Sequence, residues 1–402
     1  MSPAHPPDSI GRRIARVRKR RSLTQQGLAD RCHYSRSHIA QVETGHKLAT
    51  PSFVAAIAVV LGIDPAELFG QPYRGDTFAD DQVHAPIAAI RRAIAFVDVA
   101  PELEAPPRSL DELACALSEC QGLRRKAQHI RLGARLPALL EELAVHVCDP
   151  VDAQAEHRAW KLLFTAQDTA GELVRRLGYT DLANQLLERL AVTAQRTGEP
   201  HLPLMVARRR ALLMAGVAAY GPALRLLRSS IDRVQEGRPG AAEAAGSLHL
   251  RAAVIAARGG QEDAAWNHYA QACETSRIAG ARPLDTYGTN FVPGNIAIHG
   301  AAIAVELGDY EEAERRDAGI GKQLLGSVSP ERRAHHGVDM ARAHAETGRR
   351  ESALRRLLAA ERAAPQMVRY HPVAQSVVLH LGNAYRSMPE ELRMFMGRMH
   401  LA

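Results

Sequence analysis

The sequence predicts an all-α fold, on three observations. Ala, Leu and Arg dominate the 402 residues, and all three favour helix. Runs of β-branched residues are few, and no stretch alternates apolar and polar residues as a half-buried strand does. Apolar residues make up 46% of the chain, enough for a packed core, although only 4% is aromatic. At roughly 100–200 residues per domain, this length corresponds to two or three domains.

Five short helices are predicted within the first 70 residues. Ile10, Ile14 and Val17 follow each other at i, i+4 and i+7, which marks one apolar face of a first helix. The other four helices are expected to begin after N-cap residues, the last two of which precede a proline: Thr24, Ser35, Thr50 and Asp64. Leu68 and Phe69 close the predicted core.

Residues 22–46 are typical of two helices joined by a tight turn. The second of these helices turns Ile39 and Val42 toward the core. Its outward face is predicted to carry four polar residues: Arg36, Ser37, His38 and Gln41. Arg pairs with guanine, Gln with adenine and Ser with either, and a good bidentate pair discriminates by roughly 1–3 kcal/mol. This pattern predicts a helix that reads DNA bases.

From Ile10 to Phe69 the chain resembles the Xre/Cro-like helix-turn-helix family, whose lambda-repressor-like domain has five helices. The resemblance implies a phosphate contact for Gln25, base contacts along the second helix of the motif, and backbone contacts for Thr44 and Lys47. It also implies a structural pair between Arg18 and Glu43. The complete set of predicted DNA-binding residues is Thr24, Gln25, Ser35, Arg36, Ser37, His38, Gln41, Thr44 and Lys47.

Three positions depart from the family pattern. His33 stands where the turn glycine is usual, and histidine adopts positive φ better than most residues. Cys32 replaces a leucine, and Gly27 lies inside the second helix, at a cost of roughly 0.8–1 kcal/mol relative to Ala. An alternative is a domain that has lost DNA binding and only dimerises, but such a domain has no need of an exposed Arg-Ser-Gln face.

Charge is concentrated in the same segment. Residues 1–70 hold ten Lys or Arg and five Asp or Glu, so they carry +5 of the chain's net +7. Seven basic residues cluster on and after the first helix: Arg12, Arg13, Arg16, Arg18, Lys19, Arg20 and Arg21. Such a cluster is either a solvated face or a phosphate-binding surface with salt-dependent affinity, and the adjacent helix-turn-helix favours the latter.

Other function classes find little support. The five cysteines contain no C-x-x-C pair and no H-E-x-x-H motif occurs, so neither a metal nor a cofactor is expected. Phosphate loops and nucleophile elbows are also missing, so an enzyme is not expected. The N-terminus has no apolar signal core and no run of 18 apolar residues exists, which predicts a cytoplasmic protein without membrane contact.

Composition divides the chain into three parts. Residues 8–70 form the predicted DNA-binding domain, and 71–108 a linker with one helix, over Ile87 to Val97. A second break is predicted at residues 101–107, PELEAPP. Residues 109–402 are predicted to be a helical repeat domain.

A faint repeat runs through this third part. A glycine or small residue precedes an alanine by five positions in five places: Gly178 to Ala183, Ala218 to Ala223, Gly260 to Ala265, Gly308 to Ala313 and Gly348 to Ala353. These resemble the turn and second-helix start of tetratricopeptide repeats, which form an α-solenoid. The alanines are 40, 42, 48 and 40 residues apart, more than the usual ~34, so an irregular superhelix is expected.

The whole chain resembles actinobacterial helix-turn-helix regulators with a tetratricopeptide-like C-terminal region and, more distantly, Gram-positive peptide-sensing regulators of the same plan. A common plan does not transfer a ligand. Any small-molecule or peptide effector is expected on the concave surface, near Phe291 and five candidate pocket residues: Trp266, Tyr287, Asn290, Asn295 and His299. Ordinary packing and helix capping are the alternative for these residues.

Two hypotheses on function follow. The first is a sequence-specific transcription regulator that binds an inverted-repeat operator in double-stranded DNA as a homodimer. The second is a tetratricopeptide-type interaction scaffold whose helix-turn-helix head serves in docking or assembly. They differ in whether Arg36→Ala removes a sequence preference.

Overall fold

The computed structural model describes residues 9–72, 82–96, 99–279 and 285–401, and the regular elements in these ranges are α-helices, as the sequence predicts. The N-terminal part, here called the head, has five helices: α1 (Ile10–Arg20), α2 (Gln25–Cys32), α3 (Arg36–Glu43), α4 (Pro51–Leu61) and α5 (Pro65–Phe69). The body, residues 82–401, begins with α6 (Pro86–Ala93), α7 (Leu110–Arg125), α8 (His129–Cys148), α9 (Ala153–Arg176), α10 (Thr180–Arg196), α11 (Leu202–Gly216) and α12 (Tyr220–Ile231). It continues with α13 (Ala241–Arg258), α14 (Glu262–Ala279), α15 (Pro293–Leu307), α16 (Tyr310–Gly319), α17 (Lys322–Ser327) and α18 (Pro330–Glu346). The last helices are α19 (Arg350–Ala363), α20 (Pro365–Arg369), α21 (Pro372–Ala384) and α22 (Glu390–Arg398).

Side-chain caps fix the helix starts in the head. The four predicted N-cap residues each accept a hydrogen bond from a backbone N–H of the first turn: Thr24, Ser35, Thr50 and Asp64. Ser9 caps α1 in the same way. The helices enclose one apolar core, whose largest fully buried side chains are Ile14, Leu28, Ile39, Phe53, Ile57 and Leu68.

Five helical hairpins form most of the body, and each contains one of the five predicted repeat turns. The pairs are α9 with α10, α11 with α12, α13 with α14, α15 with α16, and α18 with α19. The first residue of each turn has a left-handed backbone, with φ between 59° and 85°: Gly178, Ala218, Gly260, Gly308 and Gly348. The alanines five positions later are buried where the two helices meet: Ala183, Ala223, Ala265, Ala313 and Ala353.

Backbone hydrogen bonds show why this turn recurs. In each hairpin the N–H after the left-handed residue bonds a carbonyl five residues earlier, as Asp309 N does to Ala304 O at 3.0 Å. The repeat alanine then donates the first helical bond of the second helix, as Ala313 N does to Asp309 O at 3.0 Å. One turn geometry therefore ends the first helix and starts the second.

The predicted linker, 71–108, contains a packed helix in its described part. Helix α6 ends at Ala93, earlier than the predicted Val97, which lies outside the described residues. Val83, Ile87 and Ile90 are buried against α8 and α9, because this helix has one wholly apolar face. The segment thus contributes to the core of the body instead of acting as a free tether, while residues 101–107 are non-helical as predicted.

The head contacts the C-terminal helices of the body. Leu48, in the loop between α3 and α4, is buried within the same apolar cluster as α18–α22. Beside it, His380 Nδ1 on α21 lies 3.2 Å from the carbonyl oxygen of Gly45. In the part of the chain that the structure describes, the helices are too short or too polar to cross a membrane.

Candidate nucleic-acid interface and ligand cavity

A left-handed residue makes the turn between α2 and α3. His33 has φ 60° and ψ 29°, a left-handed backbone conformation. This is the conformation expected of His33 as the residue that stands in place of the usual turn glycine. Ser35 then opens α3, and its Oγ accepts the N–H of His38 at 3.1 Å. The side chain of Cys32 is buried behind the turn, so α2 and α3 share one core with α1 and α4.

The predicted Arg18–Glu43 pair anchors α3 to α1. Arg18 Nε donates to Glu43 Oε1 at 2.6 Å and Arg18 Nη2 to Glu43 Oε2 at 2.8 Å. Both side chains are more than nine-tenths buried. Burial opposes the charge of Glu43, but the hydrogen bonds from Arg18 and Gln25 outweigh it and lower the pKa of this carboxyl. The pair therefore stays ionised and holds α3 at a fixed angle.

Three of the four predicted outward residues of α3 are exposed. Arg36, Ser37 and Gln41 all lie on the side of the helix away from Ile39 and Val42. Arg36 and Ser37 occupy the first turn, where a recognition helix presents side chains to base edges. A guanidinium, a hydroxyl and an amide are thus available to a DNA groove.

His38, the fourth residue predicted to lie on the outward face, does not lie there. Its ring stacks on Phe53, with centroids 4.9 Å apart and planes at 5°, and meets the Tyr34 ring edge-on. Burial, then the charge of Lys47, lowers the pKa of the imidazole, so the neutral form packs here. The physical reason is helical rotation: position 38 is one turn before the buried Val42 and lies on the border of the core.

The remaining predicted DNA contacts have defined positions. Thr24 and Ser35 are exposed caps, and Thr44 is exposed with its Oγ1 donating to the carbonyl of Ala40 at 2.8 Å. The amide of Gln25 donates to Glu43 at 2.8 Å, so this side chain is partly occupied within the head. Lys47 is half-buried at the contact with the body.

The basic cluster of α1 divides into two groups. Arg13 and Arg18 are turned inward, Arg13 donating from Nε to the carbonyl of Leu68 at 2.8 Å. The others are exposed: Arg12, Arg16, Lys19, Arg20 and Arg21. A cationic surface therefore borders the helix-turn-helix.

Four of the five predicted effector residues line two adjoining cavities. Asn290, Asn295 and His299 line a cavity of about 320 Å³ in the body, and Tyr287 lines a neighbouring cavity of about 370 Å³. Trp266 lines neither; it packs on Tyr269, with the Arg316 guanidinium 4.3 Å from its ring centre.

Asn295 organises the wall of the first of these cavities. Its Nδ2 donates to the carbonyl of Asn290 at 2.8 Å, and its Oδ1 accepts from Arg332 Nε at 2.6 Å. Burial, then the charge of Arg332, holds the pKa of His299 well below its usual range, so this imidazole is neutral. In the second cavity Tyr287 Oη lies 2.9 Å from His201 Nδ1.

The arginines of the cavity were missed in the sequence analysis. They lie on the first helices of successive hairpins, such as Arg208 on α11, Arg251 on α13 and Arg332 on α18. A signal was available, because polar residues recur at helical spacing on one face of these helices, as at 295, 299 and 306 of α15. Across the described ranges, no group of three potential metal ligands is present.

Comparison with known proteins identifies the head. Residues 9–68 match the helix-turn-helix domain family. The immunity repressor protein of Bacillus phage phi105 is 36% identical over 63 residues, which are 16% of this chain and 44% of that protein. This chain therefore spans less than half the length of that relative.

A likeness to one solved structure extends over the body. The crystal structure of Bacillus thuringiensis PlcR in complex with the peptide PapR7 and DNA is matched over 71% of this chain and 99% of that chain, at 15% identity and a TM-score of 0.27. The head match and the hairpins establish a helix-turn-helix domain followed by a long helical repeat-like region.

Proposed function

We propose that the protein is a sequence-specific transcription regulator that binds an operator as a homodimer. The observation that carries the proposal is the exposed face of α3, where Arg36, Ser37 and Gln41 project from a helix fixed by the buried Arg18–Glu43 pair. Side chains with these hydrogen-bonding groups, on a rigid helix, can discriminate base pairs in the major groove.

The surface around α3 supports phosphate contacts. The exposed cations of α1 lie on the same domain, and the exposed Thr24 caps the N-terminal turn of α2, a helix end that favours anions. Phosphate contacts would position the domain, and the α3 side chains would read the sequence. Affinity should accordingly fall steeply as salt rises.

In this proposal the body dimerises the chain and senses an effector. Two heads related by a two-fold axis would read half-sites about one helical turn apart. The head is in position to respond to the body: Leu48 is buried among the C-terminal helices, and Pro51 at the start of α4 lines the cavity of about 320 Å³.

Selection from a random double-stranded DNA pool with the full-length protein tests the proposal. Enrichment of an inverted repeat, together with a dimer mass in sedimentation, is the expected result. Binding without an enriched motif, lost between low and moderate salt, would refute sequence-specific regulation and favour the scaffold hypothesis.

A further inference from the structure

The body cavity that Asn295 and His299 line has an excess of positive charge. Ten arginines and five carboxylate side chains line its volume of about 320 Å³. Most of these residues come from the first helices of the hairpins, so they converge on one space from several directions. Histidines of the lining do not add charge, since burial holds the pKa of His335 and His299 well below the usual range.

Some of these carboxylates form salt bridges with arginines of the same cavity. Glu172 accepts Arg175 at 2.8 Å, Arg176 at 2.8 Å and Arg209 at 2.5 Å. Glu306 accepts Arg258 at 3.0 Å. Glu331 pairs with Arg176, whereas Asp285 and Asp339 form no salt bridge in the described part of the chain. Five carboxylates face ten arginines, so the cavity keeps an excess of positive charge.

Arg208 and Arg251 form no salt bridge within the described chain. Arg208 donates from Nε to the carbonyl of Ser247 at 3.3 Å, and the buried Nε of Arg251 has no hydrogen-bond partner there. Burial, followed by the charge of Arg209, lowers the pKa of Arg208 to about 10. For Arg251 burial and then Arg208 lower the pKa far below its usual range. Nearby carboxylates such as Glu172 offset this effect only in part, so two buried guanidinium groups lie close together, neither in direct contact with a carboxylate.

A second chamber adjoins this one and has a different character. Its volume is about 370 Å³, and its lining combines Phe164, Leu202 and Tyr287 with Lys161 and three carboxylates, those of Asp168, Glu199 and Asp285. Arg124 and Arg125 line both chambers. A ligand with an anionic end and a less polar body would match both.

We propose that the two chambers bind a small molecule that carries two or more phosphate groups, with Arg208 and Arg251 as its counter-ions. Guanidinium groups bind phosphate oxygens bidentately, and two adjacent arginines match two linked phosphates better than one carboxylate. The chambers are sized for a small molecule, not a protein domain. The inference rests on the proposed function only in naming this molecule as the effector; its binding requires no DNA.

Calorimetric titration of the full-length protein with inorganic pyrophosphate tests whether the arginines bind two linked phosphates. Titration with orthophosphate provides the comparison with a single phosphate. Titration with adenosine diphosphate tests whether a ligand occupies both chambers. Pyrophosphate should bind at one site per chain and more tightly than orthophosphate. Arg251→Gln should weaken pyrophosphate binding about tenfold or more, the usual effect of losing one charge-assisted hydrogen bond. Phe164→Ala should weaken adenosine diphosphate but not pyrophosphate.

Two control variants locate the site. Arg210→Gln removes one charge from α11, the helix of Arg208, but Arg210 pairs with Glu188 outside the cavity. Arg20→Gln removes one exposed charge of the head. Both should leave pyrophosphate affinity within about twofold, since neither contacts the ligand. Binding that depends on Arg20 and not on Arg251 would place pyrophosphate on the head and overturn the proposal.

Thermal unfolding without ligand shows whether the Arg251→Gln variant is folded. Because Arg251 is an unpaired half-buried cation, Arg251→Gln should melt no lower than the wild type while losing stabilisation by pyrophosphate. A wild type that ignores pyrophosphate and instead binds triglutamate would overturn the phosphate assignment. Pyrophosphate binding in a protein that selects no DNA motif would keep this inference and refute the proposed function.

Discussion

At the scale of single residues, the buried ion pair of the head fixes the position of α3, the helix that we propose reads DNA bases. Arg18 and Glu43 connect α1 to the end of α3, and Gln25 of α2 donates to the same carboxylate. Three helices therefore meet at one charged group. The sequence resemblance predicted the pair, and its bidentate geometry explains why the lone acid of a basic surface is retained.

Arg18→Ala should lower the free energy of unfolding of the head by about 3 kcal/mol, because it leaves a buried carboxylate without its partner. Urea unfolding of the full-length protein, followed near neutral pH, measures this loss. The double variant Arg18→Ala with Glu43→Gln should recover part of it. Equal stability of wild type and Arg18→Ala would contradict the role given to the pair.

The same pair predicts a pH dependence. The folded pKa of Glu43 lies below the unfolded value of about 4.3, so its stabilisation is present above that pH and lost as pH falls through the folded pKa. Glu43→Gln should therefore make head stability less dependent on pH between about 5 and 3. Chemical denaturation across this range measures the slope, and an unchanged slope would refute the assignment.

His38 shows what the helix pattern could not provide. Its position on the border of the core follows from the packing of Phe53 and Tyr34, which the sequence of α3 alone does not specify. His38→Ala should destabilise the head by about 1–2 kcal/mol, since it removes a stacked ring. The DNA motif selected by this variant should match that of the wild type; a changed base preference would return His38 to the reading face.

At the scale of elements, one turn geometry connects the two helices of every hairpin. Four of the five left-handed positions are glycine, and the fifth is Ala218, with φ 59°. The sequence predicted these turns from a faint repeat, because a glycine or small residue in the turn recurs with an alanine five positions later. Helix α6 was harder to predict, since a short apolar helix among prolines does not reveal which core will bury it.

Exchanging residues at this turn should have opposite effects at two sites. Ala218→Gly should raise the free energy of unfolding by roughly 0.5–1 kcal/mol, because relief of left-handed strain exceeds the added unfolded-state entropy. Gly308→Ala should lower it by a similar amount; its φ is 82° and a Cβ there meets no atom within 4 Å, so only the backbone is strained. Denaturant midpoints measure both, and effects of the same sign would contradict the common geometry.

At the scale of the whole molecule, the structure places a cationic cavity next to a helix of the head. Pro51 of α4 lines the cavity together with Val373 of α21, and the α3–α4 loop is buried on the C-terminal helices. The sequence could not predict this arrangement. It depends on how successive hairpins stack, and a 40- to 48-residue spacing does not determine which helix faces converge.

Ligand and operator should therefore affect each other. Saturating pyrophosphate should change operator affinity by a definite factor, and operator should change pyrophosphate affinity by the same factor, as linkage requires. Fluorescence anisotropy of labelled operator and calorimetry of the complex give the two factors. Arg251→Gln should abolish the change in operator affinity that pyrophosphate causes, while leaving operator binding itself intact. An operator affinity that bound pyrophosphate does not change would contradict coupling through α4.

We propose that α3 reads bases and that α1 contacts phosphates. The most direct test measures wild type, Arg36→Ala and Arg20→Ala against every single-base substitution of the selected half-site. Arg36→Ala should lose about 1–3 kcal/mol of discrimination at one base pair. Arg20→Ala should weaken all sites equally and reduce the salt dependence by about one unit of slope. If both variants lost affinity equally for all sites, with no base pair at which Arg36→Ala has a larger effect, base reading by α3 would be contradicted.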